Sequence, residues 1–440
     1  MNLLLVTYEF PPKGGVGVQR PLKTARYLAE AGCDVTVLTV ADPPASVWDP
    51  GLLRELPASV AVKRAWSLEP TRLLQALHRR SGRQANDGPA QAFRSGERGL
   101  SRLPRWVIRG VQAFFIPDEK YWWTPFAVRL ARRLHDQKPF DCILASGPPF
   151  TALGVARRAS RDLAVPWVAD LRDPLVGGYF FTPITPLHDA LMRAYERRVV
   201  GAAARVITVT DGMRRDLSAR YPDAQERLLT VPNGFDPTDF EGAAPPLLPH
   251  FTLSYIGAFQ GEIRADRLLG AVARACEMDR AFAADVRVRL VGPKDSETAR
   301  AIDRHGLQGL VETLGFVGHA DAVLEMRRAT VLVLLLGPGT GSASILTGKL
   351  PEYLAAGRPI FALVPDGEAA RLVRRAGAGW VVHPSAVDGA ALTILEAYER
   401  WRRGTLPAPD QRVVAEFDRR QLVGRVRGLL EEVVADDNST

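Results

Sequence analysis

Lys349 and Glu352, three residues apart behind Thr347-Gly348, are the charged pair whose types and spacing point most directly to chemistry. The run Thr347-Gly348-Lys349-Leu350-Pro351-Glu352-Tyr353-Leu354-Ala355-Ala356-Gly357-Arg358-Pro359-Ile360 reads as a strand end, a short helix capped by Thr347, and a buried strand beginning after Gly357. Such a helix start offers unpaired backbone N–H groups and a partial positive charge, to which Lys349 adds a full one, so it suits a diphosphate. Glu352, one turn further on, can accept hydrogen bonds from a vicinal diol. A nucleotide carries both groups. The alternative is a surface helix whose Lys and Glu are solvated, and the segment alone leaves both readings open.

Three other segments carry candidate groups. In Tyr8-Glu9-Phe10-Pro11-Pro12-Lys13-Gly14-Gly15-Val16-Gly17-Val18-Gln19-Arg20, the glycines Gly14, Gly15 and Gly17 at a helix start let backbone approach a phosphate or sugar closely. The pattern is not a dinucleotide fingerprint, because Arg20 stands where the third glycine belongs and the glycines do not follow the strand at once. A glycine-rich turn without a ligand is the alternative. Val168-Ala169-Asp170-Leu171-Arg172-Asp173-Pro174 sets three charges at the end of an apolar strand, where Arg172 can bind an anion bidentately and Asp173 can hold a hydroxyl or orient the Arg. A local Arg172 to Asp173 pair that merely closes a loop competes with this. Tyr255 to Arg267 repeats the strand, glycine loop and helix logic with Gly257 and with Arg264, which either shares a diphosphate with Lys349 or is solvated.

These groups need a scaffold, and the apolar patterning supplies one. β-rich runs near 2–7, 34–40, 60–65, 141–146, 166–171, 205–209 and 228–232 alternate with helical patterns, and a second series follows near 251–257, 286–292, 311–317, 329–336, 359–365 and 379–383. The fold class is α/β, with two Rossmann-like, doubly wound parallel sheets whose carboxyl ends are expected to face an interdomain cleft. Residues 1–236 and 250–405 are the expected domains. Pro237 to Pro249 reads as a linker and Asn233-Gly234 as a hinge turn. An amphipathic helix over 411–434 closes a segment, 406–440, that is expected to return to the first domain.

Composition narrows the function classes. At 440 residues and 46% hydrophobic, the chain can bury two cores. No apolar run nears the ~20 residues of a membrane span, and the first residues lack the basic flank and cleavage site of a signal peptide, so a cytoplasmic location is expected. Three scattered cysteines make no disulfide framework, and the seven histidines form no metal-binding spacing; His319, on a second-half loop, is the one with a case for a role. The net charge of +8 favours anionic partners. Within the insertion at about 70–123, nine arginines between Arg72 and Arg109 face only Asp87 and Glu97 and are followed by Trp106, Phe114 and Phe115, as in a segment lying on an anionic membrane surface. A solvated insertion is the alternative. Nucleic acid is not expected as a partner, since no recognition motif accompanies the charge.

Taken in order, the Pro-Pro-x-Gly-Gly loop, Ala145-Ser146-Gly147-Pro148-Pro149-Phe150-Thr151, Ala169-Asp170-Leu171-Arg172-Asp173-Pro174, Val231-Pro232-Asn233-Gly234-Phe235-Asp236 and the Thr347 to Ile360 run resemble the GT-B glycosyltransferases of glycosyltransferase family 4. The resemblance implies retaining transfer from a nucleotide diphosphate sugar, UDP-linked by preference, to a hydroxyl of a glycan or lipid-linked acceptor, with no metal or other cofactor. By that likeness Glu352 is the second carboxylate of the family's Glu-x7-Glu motif and binds ribose. Lys349 and Arg264 stabilise the leaving diphosphate, and Gly14 and Gly15 close over it. Thr347, Gly348, Gly17 and Gly257 belong to the same donor site, with Phe316 and Val317 near the base. Two positions depart from the family: Ser344 stands where the first Glu of the motif belongs, and Arg172 where a His is usual, so how the sugar hydroxyls are held does not carry over. Chains with Thr-Gly-Lys at this point commonly assemble surface polysaccharide or glycolipid, a context in which Trp122 and Trp123 would meet a sugar face or a lipid interface, or else sit in the core. A nucleotide-sugar-binding protein without transfer, or an epimerase on the same fold, are the competing readings.

Overall fold

The structure, a computed structural model of the chain, describes residues 1–42, 48–68, 115–177, 183–259 and 261–438. Most of the basic insertion lies outside the described residues. Two compact units divide the chain: residues 1–231 with 423–440, and residues 232–422.

The first unit runs β1 (Asn2–Thr7), α1 (Val16–Glu30), β2 (Asp34–Val40), β3 (Ala61–Ala65), α2 (Thr124–Gln137), β4 (Cys142–Gly147), α3 (Thr151–Leu163), β5 (Trp167–Leu171), α4 (Pro186–Ala202), β6 (Arg205–Thr208), α5 (Asp211–Arg220) and β7 (Leu228–Thr230). Its sheet is parallel throughout, in the order β3-β2-β1-β4-β5-β6-β7. Leu3, Leu4, Leu5 and Val6 are fully buried, which explains why β1 is continuously apolar: helices cover both faces of a parallel sheet. The side chains of Thr185 and Thr210 cap α4 and α5 by accepting from His188 N–H and Met213 N–H.

The second unit runs β8 (Phe251–Ile256), α6 (Asp266–Met278), α7 (Arg280–Asp285), β9 (Val286–Val291), α8 (Ser296–Arg304), β10 (Val311–Gly315), α9 (His319–Arg328), β11 (Val331–Leu335), α10 (Lys349–Ala355), β12 (Ile360–Leu363), α11 (Glu368–Arg375), β13 (Gly379–Val382), α12 (Val387–Arg402) and α13 (Gln411–Ala415). Its parallel sheet has the order β10-β9-β8-β11-β12-β13. All the strands of both sheets fall where the β-rich runs place them; the central ones are continuously apolar because they are buried on two faces, whereas the edge strands β3, β10 and β13 are only partly buried.

Two expectations about the connections change. Pro237 to Pro249 is not a free linker: the unit boundary falls at Val231 and Pro232, and the following residues are tied into the second unit. His319 bonds Asp239 at 2.8 Å, and the Arg327 guanidinium donates to the carbonyls of Glu241, Gly242 and Ala243. The closing helix is also broken, into α13 and α14 (Arg419–Asn438). Phe417 packs into the second core and its carbonyl accepts from Phe235 N–H, while Asp418 accepts from Arg420 N–H, so residues 416–418 serve a long-range contact that a continuous helix would forbid.

Candidate functional site

The second sheet reverses its winding between β8 and β11, which lie side by side while their chains depart in opposite directions. Ligands of open α/β sheets settle at such a switch point, outside the carboxyl ends of the strands. There the backbone is stripped of side chains. Gly257, Gly292 and Gly315 end β8, β9 and β10 with φ of +138°, +156° and +82°, and Gly257 N–H and Gly292 N–H continue the ladder onto Val291 O and Gly315 O. A Cβ on Gly292 would overlap the Gly257 carbonyl, and one on Gly257 would overlap Lys349 Nζ. Glycine is required at both positions.

Lys349 reaches across Gly257. Its Nζ donates to Tyr255 OH at 3.0 Å and lies 4.3 Å from that ring's centroid. Lys349 makes no ion pair among the described residues, and burial pulls its pKa down to about 8 although Glu352 opposes the shift. Helix α10 is held to the sheet by Tyr353, whose hydroxyl accepts from Ile256 N–H at 3.0 Å. Glu352, on the first turn of α10, is half-buried and has no hydrogen-bond partner among the described residues. Burial raises its pKa; His319, Arg419 and Lys349 oppose this, and Asp239 adds to it. A half-buried ammonium and a half-buried carboxylate, three residues apart and each short of a strong partner, can between them receive an anion and a diol.

The loop before α10 differs from expectation. Thr347 does not cap the helix: Gly348 holds the cap position in a helical conformation with no side-chain bond, and Thr347 Oγ1 is buried without a partner. The Thr347 carbonyl instead accepts from Leu350 N–H in a tight turn that steers the side chain away from the N–H groups. Ser344 donates to Gly341 O at 3.2 Å, and Glu262 accepts from Gly339 N–H at 3.2 Å. Arg264 is half exposed and paired with Glu297 at the start of α8, rather than held at Lys349. Phe316 is half exposed after β10, and Val317 packs against the second core.

The first unit has its own switch point, between β1 and β4. Gly15 opens α1 at φ +105° with open space beside it, Gly14 is buried, and a Cβ on Gly17 would come into van der Waals contact with Glu9 and Arg172. The Arg172 guanidinium is buried and donates to the carbonyls of Gly17 and Pro148, and burial lowers its pKa. It forms no ion pair with Asp173, so the loop-closing pair is ruled out; so is an Arg fork free to grip an anion. Asp173 is half-buried, and burial raises its pKa against the nearby Arg172 charge. Asp170 instead belongs to a network invisible in sequence: it accepts from Arg20 Nε at 3.0 Å and Nη2 at 2.7 Å and from Ser146 Oγ at 2.7 Å, while Arg20 Nη1 donates to Val231 O. Trp123 is core, edge-on to Tyr8 at 5.5 Å; Trp122 is exposed, as are Trp48, Trp66 and Tyr121.

The structure places Lys349, Glu352 and Gly257 together at the β8/β11 switch, and beside the predicted residues it adds Tyr255, Asp239, Arg419 and the Arg20 to Asp170 pair. Each of these acquires its role from a residue distant in the chain, and no spacing signals it. Among the described residues, no group of three or more His, Cys, Asp or Glu could hold a metal ion, and no helix is long and apolar enough to cross a membrane.

Comparison with known proteins accords with this fold. The Glycosyltransferase Family 4 model matches residues 17–239, and the Glycosyl transferases group 1 model matches residues 250–400. No curated protein matches the sequence. Among solved structures, Anabaena HepE in complex with UDP is 16% identical over 98% of this chain and 100% of that one, with a TM-score of 0.61. Sucrose-phosphate synthase from Thermosynechococcus elongatus is 16% identical over 99% of each chain, with a TM-score of 0.66. UDP-GlcNAc 2-epimerase from Methanocaldococcus jannaschii is 11% identical over 98% of this chain and 100% of that one, with a TM-score of 0.56. At such identities the likeness establishes the fold, which is GT-B.

Proposed function

Because the chain belongs to glycosyltransferase family 4, we propose that it moves a sugar, with retention, from a nucleotide diphosphate sugar to a hydroxyl of a glycan or lipid-linked acceptor. The observation that carries this is the Lys349 ammonium: half-buried over Gly257 at the β8/β11 switch, with no carboxylate among the described residues paired to it. A diphosphate supplies the missing anion. As the bond between the sugar C1 and the phosphate oxygen breaks, negative charge grows on the diphosphate, and a preorganised cation there lowers the barrier more than it tightens the ground state. Lys349 supplies that charge without a metal, and Arg264 joins it by exchanging Glu297 for phosphate. Glu352 accepts from the ribose hydroxyls. Gly257, Phe316 and Val317 frame the base, and Ser344, Thr347 and Gly348 line the approach to the sugar. Arg172 positions Gly17, and Asp173 faces the acceptor.

UDP is the preferred nucleotide, in keeping with the UDP held by the similar HepE. The test is hydrolysis of UDP-, GDP- and ADP-sugars, without acceptor and in excess EDTA. Turnover of one donor supports transfer. Binding without turnover would favour a nucleotide-sugar-binding protein, the reading that Ser344 and the committed Arg172 favour, and release of a free epimer would favour the epimerase reading. Glu352→Ala is expected to weaken nucleoside diphosphate binding about tenfold, on the order of one charged hydrogen bond. Calorimetric titration with unchanged affinity would remove the ribose role.

The acceptor end of the reading places the protein in the cytoplasm, at the inner face of an anionic membrane, in surface polysaccharide or glycolipid synthesis. Its support is the nine-arginine segment together with the exposed Trp48, Trp66, Tyr121 and Trp122 of the first unit. Deleting residues 75–100 should lower sedimentation with phosphatidylglycerol vesicles and leave donor hydrolysis intact. Equal sedimentation would make that segment a plain solvated insertion.

A further inference from the structure

We propose that Tyr255 is the positioning residue for Lys349: its hydroxyl holds the ammonium over Gly257 while no anion is bound and yields it to the donor's diphosphate. This rests on the reading of Lys349 as the diphosphate cation. Tyr255 is fixed on two sides. Its ring stacks on Phe259 at 4.6 Å with planes 13° apart, and its hydroxyl donates to Ala258 O at 3.0 Å. With its hydrogen spent on that carbonyl, the oxygen is left as an acceptor, and Lys349 Nζ is the donor that meets it at 3.0 Å.

A lysine side chain is a flexible stem that would otherwise sample many rotamers. Here one rotamer is selected three times over: by the hydroxyl, by the face of the same ring, and by the absence of a Cβ on Gly257, through whose place the stem passes. Among the described residues, the titratable groups that act on Lys349 and its hydroxyl partner come from two elements. Strand β8 contributes Tyr255, and α10 contributes Tyr353 and Glu352, the latter itself under the influence of His319, Arg419 and Asp239. Among the described residues no carboxylate pairs with the ammonium, so a phosphate oxygen, a far stronger acceptor than a phenol, takes it over without breaking a salt bridge. Tyr255 therefore makes the cation ready while keeping it available.

A double-mutant cycle on donor hydrolysis tests this, measured from pH 6 to 9.5 without acceptor. Tyr255→Phe keeps the ring, its stacking and its face, and removes only the hydroxyl. The expected result is a roughly tenfold fall in kcat/KM and an alkaline limb moved to lower pH, since the lost hydrogen bond favoured the charged lysine. In the Lys349→Ala background the same change should have no further effect. Phe259→Leu, which loosens the ring without touching the hydroxyl, should show a smaller loss that also vanishes in that background. Equal losses with and without Lys349, or an unmoved alkaline limb, would reduce Tyr255 to packing and overturn the proposal. If Lys349→Ala alone left hydrolysis unchanged, the underlying reading of the site would fail instead.

Discussion

Lys349→Ala is expected to lower kcat for donor hydrolysis by about 10² to 10³, the usual consequence of losing one preorganised charge contact to a developing anion. The loss should not come from unfolding. The ammonium is half-buried, makes no ion pair among the described residues and has its pKa pulled down to about 8, so the fold bears a cost for keeping it charged. Between about 8 and the ordinary lysine value of 10.5 the unfolded chain holds a proton that the folded chain has released, so stability rises with pH across that window. The alanine variant should lack that rise and melt no lower than the parent at pH 7. Activity runs the other way: kcat/KM of the parent should fall as pH passes about 8 and the free lysine loses its charge, whereas kcat, measured with the diphosphate in place, should hold to higher pH. An alanine variant with unchanged kcat would remove Lys349 from the reaction.

The largest effect on stability is expected from Asp170→Ala. Asp170 is 5% exposed and accepts two bonds from Arg20 and one from Ser146, and Arg20 is itself nearly buried. Removing the carboxylate takes from a nearly buried guanidinium the carboxylate that accepts two of its hydrogen bonds, a loss of about 3–5 kcal/mol. Denaturation followed by tryptophan fluorescence suits the measurement, because the buried Trp167 lies on β5 itself. The double variant Arg20→Met with Asp170→Leu should recover much of the loss, since apolar groups of similar volume leave no charge unpaired. A loss below about 1 kcal/mol for Asp170→Ala would show that the pair is solvated in practice.

Much of the architecture was legible in order along the chain. Leu3 to Val6, Val331 to Leu335 and their counterparts are apolar without alternation because parallel strands are covered on both faces, and that requirement acts on each residue where it stands. The glycines after β8 and the Lys349 to Glu352 spacing were legible for the same local reason: backbone approach and helix-turn spacing are written within a few residues. Arg172 misled because an arginine at a strand end looks the same whether its fork meets a ligand or the carbonyls of Gly17 and Pro148. Thr347 misled because a cap depends on where its Oγ1 points, and the turn into Leu350 turns it inward.

The sequence by itself therefore determined the strands, the glycine loops and the charged residues of the short helix that follows β11, all of which depend on interactions within a turn or a strand. Only the tertiary structure decided that β11 lies beside β8, so that a lysine nearly a hundred positions from Tyr255 rests on its hydroxyl, and that Asp170 answers to Arg20. Strand order is a property of how the whole sheet buries its faces. Patterning along one strand carries no record of which neighbour it will have.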